Sequence, residues 1–143
     1  MARLNRYASE AMLQVGVSAC TDITGFGLLG HALEMADASQ KRLVIHAASL
    51  PHYPHAIDMA ETGLVPEGSF RNHRHYMPRV SGSANQEQKH IDLLCDPQTS
   101  GGLLIAVAPA RIELLLTALQ AGGDQAFIIG EVEDGLPGTM LLI

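Results

Sequence analysis

Residues 21 to 31 read Thr-Asp-Ile-Thr-Gly-Phe-Gly-Leu-Leu-Gly-His and hold the residue types best suited to chemistry. One carboxylate, Asp22, stands between Thr21 and Thr24, ahead of Gly25 and Gly27, and an apolar helical pattern follows directly. A carboxylate is a hard oxygen ligand for Mg²⁺. Glycine lets backbone come close to a ligand, and a helix N-terminus offers unpaired N–H groups to anions. An acid at a strand end, a glycine turn and a helix start together suit a metal-bound phosphate. The same residues also fit a plain helix start in which Asp22 or Thr24 is only a cap. Local chemistry leaves both readings open.

A second stretch, Asp96 to Val107 (DPQTSGGLLIAV), is unusual as a string. Pro97 biases Asp96 toward extended geometry. Thr99 and Ser100 can bond to local backbone and fix a turn, and Gly101 and Gly102 permit tight curvature or close approach of another segment. It is not a phosphate-binding P-loop, because no Gly-Lys-Ser/Thr is present and a strand follows where a helix is required. Alone, it reads as a structural turn.

The surrounding pattern supplies elements to position these stretches. Residues 3 to 15 have Leu4, Tyr7, Ala8, Ala11, Met12 and Val15 at helical spacing, ended by Gly16. Val17 to Asp22 reads as a buried strand. A second helix is expected from about Phe26 to Ala38, with Leu29, Ala32, Leu33 and Ala36 as its apolar stripe. Lys41 to Ala48 reads as a strand, and Pro54 starts a short helix through Glu61. Residues 63 to 85, rich in glycine and proline, read as the longest loop. Asn85 with Gln88 suggests an N-cap for a helix ending at Leu94. Leu103 to Val107 is a strand. Pro109 opens a helix with Ile112, Leu115, Leu116 and Leu119 on one face, stopped by Gly122 and Gly123. Ala126 to Val132 and Thr139 to Ile143 are expected to pair as a hairpin around a turn at residues 134 to 138. The order predicts an α+β fold: an α/β sandwich of helices packed on a mixed, largely antiparallel sheet.

The chain's 143 residues fit a single domain. Hydrophobic residues make up 47% and charged residues 17%, an ordinary globular composition. A net charge of −6, with the nine Lys and Arg scattered, argues against nucleic-acid and anionic-membrane surfaces. No apolar run approaches the ~20 residues of a membrane span, and no signal peptide is visible. Two cysteines, Cys20 and Cys95, form no zinc spacing; reduced thiols in a cytoplasmic protein are the expectation. One candidate metal acid, with no candidate nucleophile or base and no lysine near a glycine-rich loop, looks like part of a site: Mg-phosphate enzymes gather several acids and a cation.

Taken in order, CTDITGFGLLGH (residues 20 to 31), GLVPEGSFRN (residues 63 to 72), LLCDPQTSGGLLIAV (residues 93 to 107) and IGEV (residues 129 to 132) closely resemble the C-terminal half of the selenophosphate synthetases, or selenide, water dikinases. The resemblance runs from about Tyr7 to the end, and the ordered set is far more specific than any one motif. It places the chain beside aminoimidazole ribonucleotide synthetase in a superfamily of ATP-using, two-domain enzymes. It implies a domain resembling the C-terminal domain of that synthetase, packed on an N-terminal domain that carries the nucleophile, an essential lysine, most metal-binding acids and most of a homodimer interface. The implied reaction converts ATP, selenide and water to selenophosphate, AMP and phosphate with Mg²⁺. The acid of the family's TD(I/V)TGFG motif, which reaches the metal cluster beside the ATP phosphates, maps onto Asp22. Residues 1 to 143 are then expected to be the C-terminal domain only, inactive alone, with no catalytic residue of their own and no assigned ATP-contacting residue.

Other residues receive plainer expectations. Cys20 and Cys95 are expected to be small buried hydrophobes. His31 is expected to be a packed or surface histidine, and His52, His55, His73, His75 and His90 to be surface residues, since no third ligand joins His73 and His75 by spacing. Arg71, Arg74 and Arg79 are expected in a solvated loop. Gly25 and Gly27 allow either approach of backbone to the nucleotide or partner domain, or a tight start to a helix. Two other functions stay in view: another ATP-dependent enzyme of the same superfamily, and a non-catalytic binding or regulatory module.

Overall fold

The computed structural model describes residues 5–143. Among these, six α-helices and six strands follow in the order α1 (Arg6–Val15), β1 (Ala19–Asp22), α2 (Gly27–Ala38), β2 (Arg42–Ile45), α3 (Ala56–Glu61), α4 (Glu67–Tyr76), β3 (Val80–Ser81), α5 (Gln88–Cys95), β4 (Leu103–Ala106), α6 (Ile112–Ala121), β5 (Gly130–Glu133) and β6 (Thr139–Leu142). The α+β sandwich of helices on a mixed sheet expected from the sequence is present. Its strands form two sheets: an antiparallel β1–β4 ribbon and a mixed sheet ordered β3-β6-β2-β5. In the mixed sheet, β2 runs antiparallel to β5 and parallel to β6, and β3 runs parallel to β6. Two of the three strand pairings in this larger sheet are therefore parallel, so, against the expectation, it is not largely antiparallel.

Three further expectations are corrected. The segment Ala126 to Ile143 is not a hairpin, because β5 and β6 lie on opposite sides of β2. Leu43, Val44 and Ile45 are all buried. So apolar a strand takes the sheet centre and separates the two later strands. Residues 63 to 85 are not mainly loop, because α4 occupies ten of them. Its inward residues are Ser69, Asn72 and Tyr76, a helical spacing built largely from polar side chains that an apolar-periodicity reading passes over. Asn85 is not the cap of α5, since it closes a short 3₁₀ turn and Glu87 holds the N-cap position without a side-chain cap.

The α2 stripe behaves as its spacing demands. Leu29, Ala32 and Leu33 are fully buried and Ala36 nearly so, in a core shared with Leu43, Ile45, Leu94 and Met140. A second core joins α1 to α6 through Ala8, Ala11, Val15, Leu115 and Leu119. In α1, Tyr7 is exposed rather than packed, and Leu4 lies outside the described residues. The β1–β4 ribbon divides the cores: Leu104 packs toward the α2 side, while Leu103 and Ile105 pack toward α1 and α6. Strand alternation produces this division. Among the described residues, no helix is long and apolar enough to cross a membrane.

Candidate functional site

The two motif stretches, some 70 residues apart, are one structure. In the β1–β4 register Asp22 stands opposite Leu103. The ladder then continues beyond both strands. Ile23 N–H donates to Gly102 O at 2.9 Å, Gly101 N–H to Ile23 O at 3.0 Å, and Gln98 N–H to Thr24 O at 3.1 Å. Gly101 has no room for a side chain, since a Cβ would lie 2.5 Å from Ile23 O.

The helix start is arranged differently from the sequence expectation. Neither Asp22 nor Thr24 caps α2, whose N-cap position is Phe26 with no side-chain cap bond. Gly27 has a positive φ of 69°, and a Cβ on it would meet the backbone of Leu94, Cys95 and Asp96 at 2.8 to 3.0 Å. Its role is close packing against the end of α5. That packing seats the first residue of α2 against this chain's own backbone. Gly25 is exposed, with open space where a Cβ would stand.

Thr24 and His31 bond to each other. Thr24 Oγ1 and His31 Nε2 are 3.0 Å apart, and His31 Nδ1 lies 3.2 Å from Glu34 Oε2. His31 is therefore packed, at 9% exposure, and Phe26 leans on its ring with centroids 5.3 Å apart. A neutral ring that donates Nδ1–H to Glu34 accepts the Thr24 hydroxyl at Nε2.

Asp22 is exposed at the end of β1. Cys20, two residues before it on the same strand, is exposed too, correcting the expectation of a buried thiol. Strand alternation turns both toward the α1 side, where Cys20 lines a shallow groove with Met12, Leu13, Gly16 and Val17. Partial burial pushes the Cys20 thiol up, and the Asp22 carboxylate adds to that rise. Cys95 is buried as expected, and burial pushes its thiol up to about 12. Asp96, half-buried, has its carboxyl raised by desolvation. No described side chain or backbone N–H bonds to it.

The third motif segment, GLVPEGSFRN, ends in α4 and holds the other two. Asn72 Nδ2 donates to Gly25 O at 3.0 Å and to Cys95 O at 2.9 Å. Gly68 packs flat on Pro97, where a Cβ would lie 2.8 Å from Cγ. Of the three arginines expected in a loop, Arg71 and Arg74 lie exposed on α4. Arg79 donates to Gly138 O at 2.7 Å. His52, His55 and His75 are exposed, and His73 and His90 are half-buried.

No three His, Cys, Asp or Glu residues cluster as a metal site among the described residues. Among the described residues, the arrangement thus offers two carboxyls without a hydrogen-bonding partner on one two-loop edge, the exposed Asp22 and the half-buried Asp96. That fits a shared ion whose remaining ligands come from elsewhere and does not fit an ion enclosed by these residues alone. Sequence reasoning missed the contribution of α4 and the unpartnered Asp96. A signal for α4 was present in the spacing of Ser69, Asn72 and Tyr76.

The chain is 49% identical over 133 residues to a selenide, water dikinase of Pelobacter propionicus, covering 92% of this chain and 38% of that protein. It is 41% identical over 141 residues to a selenide, water dikinase of Nitratidesulfovibrio vulgaris, covering 99% of this chain and 40% of the relative. The chain thus spans about two fifths of the length of these curated relatives. Among solved structures, the thiamine-monophosphate kinase of Stenotrophomonas maltophilia superposes with a TM-score of 0.61 at 16% identity, over 91% of this chain and 32% of that one. The hydrogenase maturation protein HypE, solved in complex with ATP, also gives 0.61 at 20% identity, over 99% of this chain and 37% of that one. These two establish the fold. The model of the AIR synthase related protein family, C-terminal domain, matches residues 1–141, and the chain belongs to that family.

Proposed function

We propose that this chain is the C-terminal portion of a selenide, water dikinase, an enzyme that turns ATP, selenide and water into selenophosphate, AMP and phosphate. The observation that carries the reading is the 49% and 41% identity to proteins of that name across more than nine tenths of the chain. The joined motif loops support it, because they hold an exposed carboxylate at the edge of a stiff platform. Asp22 would be one ligand of Mg²⁺ beside the polyphosphate, and the ion would supply charge neutralisation there. The remaining acids, the nucleophile and the lysine would come from an N-terminal domain, within a cytoplasmic homodimer. This portion alone would not turn over ATP.

Phosphorus NMR of the full-length protein with ATP, Mg²⁺ and selenide tests the reading. Selenophosphate with AMP and phosphate is the expected product set. A folded, ATP-consuming protein that forms a different phosphorylated product would move the assignment to another ATP-dependent enzyme of the same family.

A further inference from the structure

We propose that Asn72 is a positioning residue: its side-chain amide sets where the Thr21–Gly27 segment stands against the Asp96–Gly102 loop, and so places Asp22. The inference rests on the reading of Asp22 as a carboxylate of the phosphoryl-transfer site.

Asn72 is 8% exposed, and its Nδ2 group carries two N–H donors. Both are used, on Gly25 O and Cys95 O, acceptors 47 and 23 residues away. Cys95 is the last residue of α5. Its carbonyl has no partner inside the helix, so it needs an outside donor. The Gly25 carbonyl lies in the turn just before α2. The backbone bonds that join the two segments stop at Thr24. Beyond Thr24, Gly25 is tied across the gap by this amide, and among the described residues no other side chain bonds to both segments.

The helix that carries the amide is closely packed at both ends. Gly68 lies against Pro97 at one end of α4, and Tyr76 lies against Gly30 at the other, each too close for an added Cβ. The donor group is therefore delivered to one place. An aspartate has the same shape but turns two donors into acceptors facing two carbonyls. The DPQTSGG stretch, a bare turn when read alone, thereby has a physical role. Cys95 and the loop after it are the fixed wall against which the Asp22 segment is held.

The test uses the full-length protein with Asn72→Asp, and with the milder Asn72→Ser should the first not fold. Hydrogen–deuterium exchange would be followed in peptides covering residues 21–27 and 95–102, with residues 42–45 of β2 as an internal control. Steady-state kcat and KM for ATP would be measured on the same samples. We expect both loop peptides to exchange roughly tenfold faster with β2 unchanged, and kcat to fall roughly tenfold or more with KM for ATP little moved. Loop exchange equal to wild type in a folded variant would overturn the proposal. Faster exchange with unchanged kcat would also overturn it, since Asn72 would then be structural only. Failure of the functional reading shows separately, as absence of selenophosphate from the wild type. The exchange result then decides the clasp without reference to activity.

Discussion

Gly27 and Leu94 are in backbone contact: a Cβ on Gly27 would lie 2.8 Å from the Leu94 carbonyl oxygen. The α2 start and the α5 end are locked at this point, and the positive φ of Gly27 makes any side chain there doubly unfavourable. Gly27→Ala is expected to destabilise the protein by about 3 kcal/mol or more, from left-handed strain plus a clash with unyielding backbone. Gly25→Ala, two residues away in open space, should stay within about 0.5 kcal/mol of wild type. Urea unfolding of both variants checks the contrast.

The two cysteines should react very differently. Cys20 is exposed and Cys95 buried, so alkylation of the native protein should label Cys20 and spare Cys95 until unfolding. The thiolate is the reactive form, and the Cys20 thiol is raised above its ordinary value. Its labelling should therefore be slow near neutral pH and climb only above the ordinary thiol range. Asp22 contributes to that rise, so Asp22→Asn should speed Cys20 labelling at fixed pH. Mass spectrometry of labelled peptides across a pH series is the measurement.

Asp96 makes a prediction with the opposite sign to the usual acid. Burial raises its carboxyl in the folded state, so the folded chain holds that proton more tightly than the unfolded chain. Ionisation then weakens the fold. The cost is absent below the ordinary carboxyl range near pH 4 and present at neutral pH. Asp96→Asn should raise the urea midpoint at neutral pH and leave it nearly unchanged at about pH 3. An equal shift at both pH values would count against a desolvated carboxylate.

Where apolar residues recur at a helical period, sequence and structure agree except at Tyr7 of α1, which is exposed. Leu29, Ala32, Leu33 and Ala36 predicted the buried face of α2, and all four sit in the core. Leu115 and Leu119 did the same for α6. What escaped was carried by non-local pairing or polar packing. Nothing local to Thr139 says that β6 chooses β2 over β5, since the buried run Leu43–Ile45 decides that from a hundred residues away. Helix α4 buries a serine, an asparagine and a tyrosine, so a search for apolar stripes reads it as loop. At the site, the strand end that carries Asp22 was legible, and Asp22 stands exposed there at the end of β1. The joining of TDITGFG to DPQTSGG was not, because it depends on strand pairing and on a single amide from α4.

The most direct measurement compares wild-type and Asp22→Asn full-length protein by phosphorus NMR with ATP, Mg²⁺ and selenide. Asp22 is exposed, so the substitution should leave thermal unfolding unchanged within experimental scatter. Selenophosphate from the wild type and a loss of about 100-fold in its rate of formation in the variant is the expected result, in keeping with removal of a ligand from a metal-assisted transfer. Equal rates from two folded proteins would contradict this role and leave Asp22 as a surface acid at a strand end.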